Sequence, residues 1–262
     1  MRIYGLLAHP VSHSQSPALY EGWFAHAGME NAKFELFDVE PEKLGAFFER
    51  MRDRHTEEIV GLAVSIPHKE SVISYLDEVD EVAKEIGAVN TISWDGEKLK
   101  GWNTDWIGVR ESFTEAGVDV AEKRVLVLGA GGGARAVVYA LMHAGAQVLV
   151  TNRTFDRAED LASVFRCPLV HWDDRETVEA EIVVNTTSVG LEDLSASPVS
   201  VKFWKELRNG GSEIVAFDLV YRPRVTKFLK DALGAGARII TGDRMLFYQG
   251  KAQFRIVTGK KF

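Results

Sequence analysis

The feature that most constrains this chain is a buried-type strand that runs directly into a glycine-rich turn and then into a helix. The strand reads VLVL at 125–128, and an apolar helical pattern starts at 136. The turn between them consists of Gly129, Ala130, Gly131, Gly132, Gly133 and Ala134. Glycines at the first and third positions permit a tight turn and a close approach of backbone to phosphate. Because the first N–H groups of a helix lack intrahelical partners, the segment predicts a dinucleotide-binding turn. The alternative is a tight strand–helix turn without a ligand.

Short β-branched runs alternate with helical patterns along the chain, which is typical of α/β folds with mostly parallel sheets. The predicted strands cover residues 3–8, 33–38, 59–65, 124–128, 147–151, 181–185, 213–217 and 237–241. The predicted helices cover residues 17–27, 41–54, 68–75, 106–116, 132–144, 155–165, 225–233 and 245–258.

The segment TISWDGEKLKGW at 91–102 interrupts this alternation, because its polarity alternates around Asp95-Gly96, which is a hairpin signal. An apolar-periodic helix and a fresh strand follow it, so we place a domain boundary near Asp105. The first domain then holds residues 1–104, completed by a C-terminal helix at 242–262, and the second holds residues 105–241.

The tip of the strand at 147–151 carries cationic rather than acidic side chains. Asn152, Arg153 and Thr154 follow the strand, and Arg157 comes one turn later. An Asp or Glu at this tip usually holds the ribose 2′-hydroxyl of NAD, whereas a guanidinium binds the 2′-phosphate of NADP through charge-assisted hydrogen bonds. Such a bond contributes about 1.5–3 kcal/mol, so we expect NADP rather than NAD. The alternative is a solvated pair of arginines at a helix start.

A polar loop of small residues, NTTSVG at 185–190, follows the strand at 181–185. Ligands of open α/β sheets bind beyond the carboxyl ends of the strands, so this loop can approach a nicotinamide ribose. An ordinary turn explains its composition equally well.

Composition excludes several classes of protein. The chain has 262 residues, a formal net charge of -7 and one cysteine, Cys167. The negative charge argues against non-specific nucleic-acid binding, and one cysteine leaves no intrachain disulfide and no cysteine-rich metal site. No apolar run reaches the roughly 18 residues of a membrane span, and the N-terminus is typical of a first strand rather than of a signal peptide. We therefore expect a cytoplasmic protein without a metal, membrane or nucleic-acid partner.

Polar clusters in the first half lie where strands are predicted to end, and loops on a rigid scaffold are where binding sites collect. The clusters are HSQSP at 13–17, SIPHK at 65–69, GAVNT at 87–91 and NTD at 103–105. Each has a structural alternative. Ser14 or Ser16 can cap the first helix, Lys69 can be a surface lysine, and Asp105 can cap the helix that follows it.

Together these segments resemble the shikimate dehydrogenase family over nearly the whole chain. The resemblance rests on the four clusters, the glycine turn, the Asn152–Thr154 tip, DLVY at 218–221, and TG, ML and QG at 241–250. It implies an α/β fold in which an N-terminal three-layer α/β substrate domain is joined to a Rossmann-like NADP-binding domain, with the substrate in a cleft.

The implied reaction is the reversible, NADP-dependent reduction of 3-dehydroshikimate to shikimate, in the route to chorismate and aromatic amino acids. Hydride delivery builds negative charge on the ketone oxygen, which a lysine ammonium can protonate while a carboxylate holds the lysine. We therefore assign Lys69 as the proton carrier and Asp105 as its partner. Substrate binding is assigned to Ser14, Ser16, Ser65, Asn90, Tyr221 and Gln249. Cofactor binding is assigned to Gly129, Ala130, Gly131, Gly132, Gly133, Ala134, Asn152, Arg153, Thr154, Arg157, Thr187, Leu219 and Gly242.

The lysine loop departs from the family pattern Asn-x-Thr-x-Pro-x-Lys, because Ala63 stands for the asparagine and Ser65 for the threonine. Serine keeps the hydroxyl, whereas Ala63 deletes an amide, so quinate or an amino-substituted analogue is an alternative substrate. A further alternative is a non-catalytic sensor, although a pure binder needs no proton carrier. We expect a monomer or a homodimer. Family members commonly continue through another C-terminal helix, so we also expect exposed apolar surface on the first domain unless another chain covers it.

Overall fold

The computed structural model describes residues 1–11, 14, 16–53, 58–211 and 213–260. The chain folds as two compact units: unit 1 comprises Met1–Thr104 and Gly250–Phe262, and unit 2 comprises Asp105–Gln249. Unit 2 therefore ends at Gln249, whereas the second domain was predicted to end at 241. The last helix runs without interruption from Gly242 to Thr258, so no turn marks this boundary.

The strands of the described residues form two sheets, one in each unit. In chain order they are β1 (Arg2–Ala8), β2 (Ala32–Asp38), β3 (Ile59–Val64), β4 (Glu78–Val79), β5 (Thr91–Asp95), β6 (Lys98–Trp102), β7 (Arg124–Leu128), β8 (Gln147–Thr151), β9 (Ile182–Asn185), β10 (Val215–Asp218) and β11 (Arg238–Ile240). Unit 1 holds a mixed sheet in the order β2-β1-β3-β5-β6-β4, in which β5 and β6 are the predicted hairpin. Unit 2 holds a parallel sheet in the order β11-β10-β9-β7-β8.

Helices connect most of the strands. They are α1 (Ser16–His26), α2 (Leu44–Arg52), α3 (Glu81–Ile86), α4 (Asp105–Ala116), α5 (Gly132–His143), α6 (Phe155–Phe165), α7 (Val201–Asn209), α8 (Lys227–Gly234) and α9 (Gly242–Thr258), with 3₁₀ segments at Pro41–Lys43, Ser71–Tyr75 and Trp172–Thr177. The predicted helix at 68–75 was wrong, because only a 3₁₀ segment forms there, and α3, α7 and β4 were not predicted. None of the helices in the described ranges combines the length and the apolar composition that a membrane crossing requires.

The sheet of unit 1 is covered by side chains on both faces, because successive residues of a strand point to opposite sides. Ile3 and Leu7 of β1 belong to a core that includes Phe47 and Phe48 of α2. On the other face, Tyr4 lies against Phe24 of α1, with ring centroids 5.2 Å apart. Phe24 joins an aromatic cluster that contains Tyr20 and Trp23 of α1 and Phe254 of the C-terminal part of α9. Unit 1 is thus a three-layer α/β structure, which agrees with the predicted fold class.

The sheet of unit 2 is also buried on both faces, and this explains why its strands read as continuous apolar runs. Val125 and Val127 of β7 pack into a core with α5 and α6. The alternate residues, Leu126 and Leu128, pack into a second core with α7 and α8. Because the strands are parallel, the loops that follow β7, β8, β9 and β10 leave from the same edge of the sheet, and these loops carry the predicted cofactor residues.

Candidate active site

The turn after β7 has a backbone conformation that favours glycine at its first position. Gly129 has φ +117, and a Cβ built there would overlap the Oγ1 atom of Thr186. Its N–H donates to the carbonyl of Thr151 at 2.8 Å, which ties the turn to the end of β8. Gly131 caps α5 without a side-chain hydrogen bond, and apart from Gly131 and its two chain neighbours no described residue comes within 4 Å of the position that its Cβ would take. The helix start therefore presents N–H groups beside open space, which fits the pyrophosphate of a dinucleotide.

Two alanine substitutions separate the roles of these glycines. Gly129→Ala is expected to lower the free energy of unfolding by about 1–3 kcal/mol, since strain and the overlap with Thr186 both act on the folded state. Gly131→Ala is expected to cost less than about 1 kcal/mol, because φ -92 suits alanine, yet to weaken NADP⁺ binding by occupying the approach to the helix start. Chemical denaturation and NADP⁺ titration measure the two effects. Undiminished NADP⁺ affinity in Gly131→Ala would contradict this role.

The tip of β8 presents two guanidinium groups. Asn152 closes the turn, since its Nδ2 donates to the carbonyl of Thr154 at 2.9 Å, and α6 begins directly afterwards. The side chains of Arg153 and Arg157 are exposed. The positive end of the α6 dipole adds to their charge, so the tip suits a dianionic phosphate.

The loops after β9 and β10 are held by buried polar side chains. Thr187 donates through its Oγ1 to the Oδ1 of Asn185 at 2.7 Å, and the Nδ2 of Asn185 donates to the Oδ1 of Asp218 at 3.0 Å. Gly242 packs against the turn after Asp218, where a Cβ would lie 2.6 Å from the carbonyl oxygen of Leu219. The structure therefore brings three predicted cofactor residues, Thr187, Leu219 and Gly242, to one edge of the unit 2 sheet.

The buried carboxyl group of Asp218 has a pKa far above the usual value for an aspartate. Burial raises its pKa to about 7, although hydrogen bonds from Thr226, Val220 and Asn185 act in the opposite direction. Because the unfolded value is 3.8, the folded state binds an extra proton between these two pH values. The contribution of Asp218 to the free energy of unfolding is therefore largest below pH 3.8. It declines as the pH rises toward about 7 and stays constant at higher pH.

Asp218→Asn should remove this pH dependence. Between pH values of about 5.5 and 8, we expect the wild type to lose about 2 kcal/mol of unfolding free energy relative to the variant. Urea unfolding of both proteins at the two pH values measures the difference. Parallel pH profiles for the two proteins would contradict the raised pKa of Asp218.

Asp105, Gln249 and Tyr221 also belong to unit 2. Asp105 is the first residue of α4 and is 3% exposed. Helices α4 and α9 pack closely at Gly108, where a Cβ would lie 3.0 Å from the Cβ of Gln249. Because residues three apart share a helix face, Asp105 and Gln249 lie on the contacting side of this helix pair. Tyr221 is half-buried in the loop after β10.

In unit 1, the lysine loop is joined to the segment that carries Asn90. The carbonyl of Lys69 accepts from the N–H of Val89 at 2.7 Å. Asn90 is buried, and its amide holds Thr104: the Nδ2 donates to the Oγ1 at 2.9 Å, and the Oδ1 accepts from the backbone N–H at 2.8 Å. The side chains of Lys69 and Ser65 are half-buried. Unit 1 therefore connects three of the predicted segments by hydrogen bonds.

The serine cluster begins α1. The Oγ of Ser14 accepts from the N–H of Ser16, the first residue of α1, at 3.1 Å. Ser14 therefore satisfies one N–H at the helix start from two residues away, rather than from the N-cap position itself. A hydroxyl that accepts one bond can still donate its own proton, so this bond leaves Ser14 able to bind a carboxylate. Ser12, His13 and Gln15 lie outside the described residues.

His68 was not predicted as a functional residue, yet it shapes the lysine loop. His68 is fully buried, and its Nε2 donates to the carbonyl of Val39 at 2.6 Å. Burial lowers the pKa of His68, only partly offset by this hydrogen bond, so the imidazole is neutral near pH 7. The bond fixes the residue next to Lys69. The hydrogen bond from His68 could not be predicted from the sequence, because Val39 lies 29 residues away. The only local signal for a role of His68 was its position next to Lys69.

Two surface cavities of unit 2, of about 480 and 510 Å³, lie at the opposite edge of its sheet. Arg124, at the amino end of β7, lines both, and Gln147, at the amino end of β8, lines the second. The motif residues follow the carboxyl ends of the strands, where ligands of open α/β sheets bind. We therefore assign the functional site to the carboxyl edge.

Two family profiles match the chain. Residues 6–92 match the shikimate dehydrogenase substrate binding domain, and residues 111–224 match shikimate / quinate 5-dehydrogenase.

Proteins named shikimate dehydrogenase (NADP(+)) are similar over almost the full length. The protein of Aquifex aeolicus is 39% identical over 98% of this chain and 91% of its own length. That of Moorella thermoacetica is 42% identical over 99% of this chain and 88% of its own length. The crystal structure of shikimate 5-dehydrogenase from Thermus thermophilus, in complex with NADP(H) and shikimate, is 38% identical, with a TM-score of 0.87 over 100% of this chain and 95% of that chain. With both profiles and full-length relatives in agreement, the chain belongs to the shikimate dehydrogenase family.

Proposed function

We propose that the protein is an NADP-dependent oxidoreductase that reversibly reduces 3-dehydroshikimate to shikimate. The observation that carries this proposal is the full-length similarity to enzymes named for that activity, in a chain that has Lys69 and Asp105 at the motif positions.

The cofactor is assigned to unit 2. The N–H groups at the start of α5, from Gly131 onward, would hold the pyrophosphate, and Arg153 and Arg157 would hold the 2′-phosphate. Thr187, Leu219 and Gly242 would contact the nicotinamide half. When bound, NADPH supplies the hydride for ketone reduction, and NADP⁺ accepts it in the reverse direction.

Lys69 is the proposed proton carrier. As the ketone carbon gains a hydride, its oxygen gains negative charge, and the ammonium of Lys69 donates one proton to complete the alcohol. In the oxidation of shikimate, the neutral amine takes that proton back. Asp105 is proposed to hold the lysine by an ion pair, which keeps the proton directed at the reacting oxygen. Asn90 supports this arrangement, because its amide is bonded to Thr104, the residue before Asp105.

Substrate recognition is assigned to hydroxyl and amide groups. Ser14, Ser16 and Tyr221 would donate hydrogen bonds to the substrate carboxylate. Ring hydroxyls would be bound by Ser65, Asn90, Asp105 and Gln249. Such hydrogen bonds discriminate strongly against a ligand that lacks one of these groups, because the protein group then left buried and unpaired costs about 1–3 kcal/mol.

The direct test is to mix purified protein with shikimate and NADP⁺ and to follow the absorbance of the reduced nicotinamide. We expect turnover with shikimate and NADP⁺, and lower kcat/KM with quinate or with NAD⁺. Faster turnover of quinate than of shikimate would identify quinate as the substrate. This is the alternative that Ala63 raises. Tight binding of both ligands without turnover would identify a sensor instead of an enzyme.

The cellular setting is also part of the proposal. A cytoplasmic location suits an enzyme that draws on the intracellular pool of NADP(H), and fractionation of cells with an antibody to the protein tests it. We propose a monomer or a homodimer, which light scattering of the purified protein distinguishes.

A further inference from the structure

Two polar side chains are buried side by side at the carboxyl edge of the unit 2 sheet. Asn185 is the last residue of β9 and Asp218 is the last residue of β10, and the two are paired in the strand register. Both are 0% exposed. A buried amide and a buried carboxylate cost folding free energy unless hydrogen bonds compensate, so their partners indicate what they do.

The amide of Asn185 makes four hydrogen bonds, which is its full capacity. Its Oδ1 accepts from the N–H and from the Oγ1 of Thr187, at 3.1 and 2.7 Å. Its Nδ2 donates to the Oδ1 of Asp218 at 3.0 Å and to the carbonyl of Val189 at 3.3 Å. The amide therefore fixes the loop after β9 at Thr187 and ties that loop to β10.

The carboxylate of Asp218 fixes the next loop. Its Oδ1 also accepts from the N–H of Val220 at 2.9 Å, and its Oδ2 accepts from the Oγ1 of Thr226 at 2.5 Å. Because Thr226 caps α8, the turn is held at both ends. Within this turn, Leu219 reaches the start of α5, since a Cβ on Gly133 would lie 3.3 Å from the Cδ2 of Leu219. The carboxylate therefore sets where Leu219 lies beside the glycine turn.

We propose that Asn185 and Asp218 are positioning residues for the nicotinamide half of the cofactor, and that they act through Thr187 and Leu219. This inference rests on the proposed function, in which those two residues contact NADP(H). The 2′-phosphate half is assigned to the tip of β8, which is separated from β9 by β7 in the sheet. Binding of the two halves of the cofactor should therefore respond differently to a change in the pair.

Asp218→Ala removes the acceptor of three donors, whereas Asp218→Asn keeps an oxygen for Asn185 and Val220. We expect Asp218→Ala to weaken NADP⁺ binding by about tenfold or more and to lower kcat. Its affinity for adenosine 2′,5′-bisphosphate, which lacks the nicotinamide half, should stay within about twofold of the wild type. Asp218→Asn should recover most of the NADP⁺ affinity. Isothermal titration calorimetry with the two ligands gives both affinities.

Val215→Ala is the matched control, because Val215 is buried at the other end of β10, in the apolar core. It should lower the Tm and leave both affinities near those of the wild type. If Asp218→Ala does not fold, Asn185→Ala gives the same comparison through Thr187. The proposal is overturned if the folded variant binds both ligands as the wild type does, or if both affinities fall equally.

Turnover by the wild type separates this inference from the proposed function. If the wild type binds NADP⁺ and the bisphosphate but does not oxidise shikimate, the proposed function fails. The calorimetric comparison then still decides whether Asn185 and Asp218 position the nicotinamide half.

Discussion

Lys69→Ala is expected to lower kcat for shikimate oxidation by about 10²–10⁴-fold, because the variant lacks the group proposed to exchange a proton with the reacting oxygen. The affinity for NADP⁺ should change little, since Lys69 is not among the residues assigned to cofactor binding, all of which belong to unit 2. Steady-state kinetics at saturating concentrations of both substrates measure kcat, and calorimetry measures the affinity.

Lys84 provides the matched control for this prediction. It is an exposed lysine of α3, also in unit 1, and its Nζ lies 2.9 Å from the Oε1 of Glu81. Lys84→Ala should leave kcat within about twofold of the wild type, because exposed ion pairs contribute little. Partial recovery of Lys69→Ala by added small primary amines would support a role in proton transfer. Wild-type turnover in Lys69→Ala would exclude the assignment.

Arg153→Ala is expected to raise the KM for NADP⁺ by about 10- to 100-fold while changing the KM for NAD⁺ only slightly. The reason is that a charge-assisted hydrogen bond to the 2′-phosphate contributes about 1.5–3 kcal/mol, and NAD⁺ has no such phosphate. Initial rates with the two cofactors give the ratio of kcat/KM values, which should shift toward NAD⁺. Arg157→Ala should shift it in the same direction.

The control for the arginine variants is Lys202→Ala, which removes an exposed cation of unit 2 on α7, with its Nζ 3.4 Å from the Oε1 of Glu206. This variant tests whether a general loss of positive charge weakens the binding of an anionic cofactor. It should leave the ratio of kcat/KM values for NADP⁺ and NAD⁺ unchanged. A ratio unaffected by both Arg153→Ala and Arg157→Ala would show that the tip of β8 does not read the 2′-phosphate.

The sequence predicted the nucleotide turn well because its signal is local. Six small residues between two apolar segments predicted a strand at 124–128 and a helix that starts at 132. In the structure, β7 begins at Arg124 and α5 begins at Gly132. The hairpin of β5 and β6 was also confirmed, although its two-residue turn is Gly96-Glu97, one residue beyond the predicted centre at Asp95-Gly96. Gly96 takes φ +63, which favours glycine.

The helix α3 was missed because its six residues give too little periodicity to recognise, and α7 was missed as well. Their caps were nevertheless visible. Asp80 accepts from the N–H of Val82 at the start of α3, and Gly87, with φ 72, caps its C-terminal end. Ser200 accepts from the N–H of Phe203 at the start of α7. Asp80 and Ser200 are thus start signals that predict both helices independently of periodicity.

The polar pairs within each unit could not be predicted from the sequence, because their members come from distant segments. Asn185 and Asp218 are 33 residues apart, and Asn90 and Thr104 are 14 apart. Each motif indicated a binding residue, but only the strand register shows which side chain holds which loop. Asp218 was therefore recognised only as part of DLVY and not as a partner of Asn185.

The pairing of Asn185 with Asp218 also bears on how the sheet assembles. Since β9 and β10 are apolar on both faces, hydrophobicity alone would tolerate a shift of one residue between them. Such a shift would set Asp218 opposite Val184 and leave an amide and a carboxyl group unsatisfied inside the protein. The two side chains therefore favour this alignment of β10 on β9 over one shifted by a single residue.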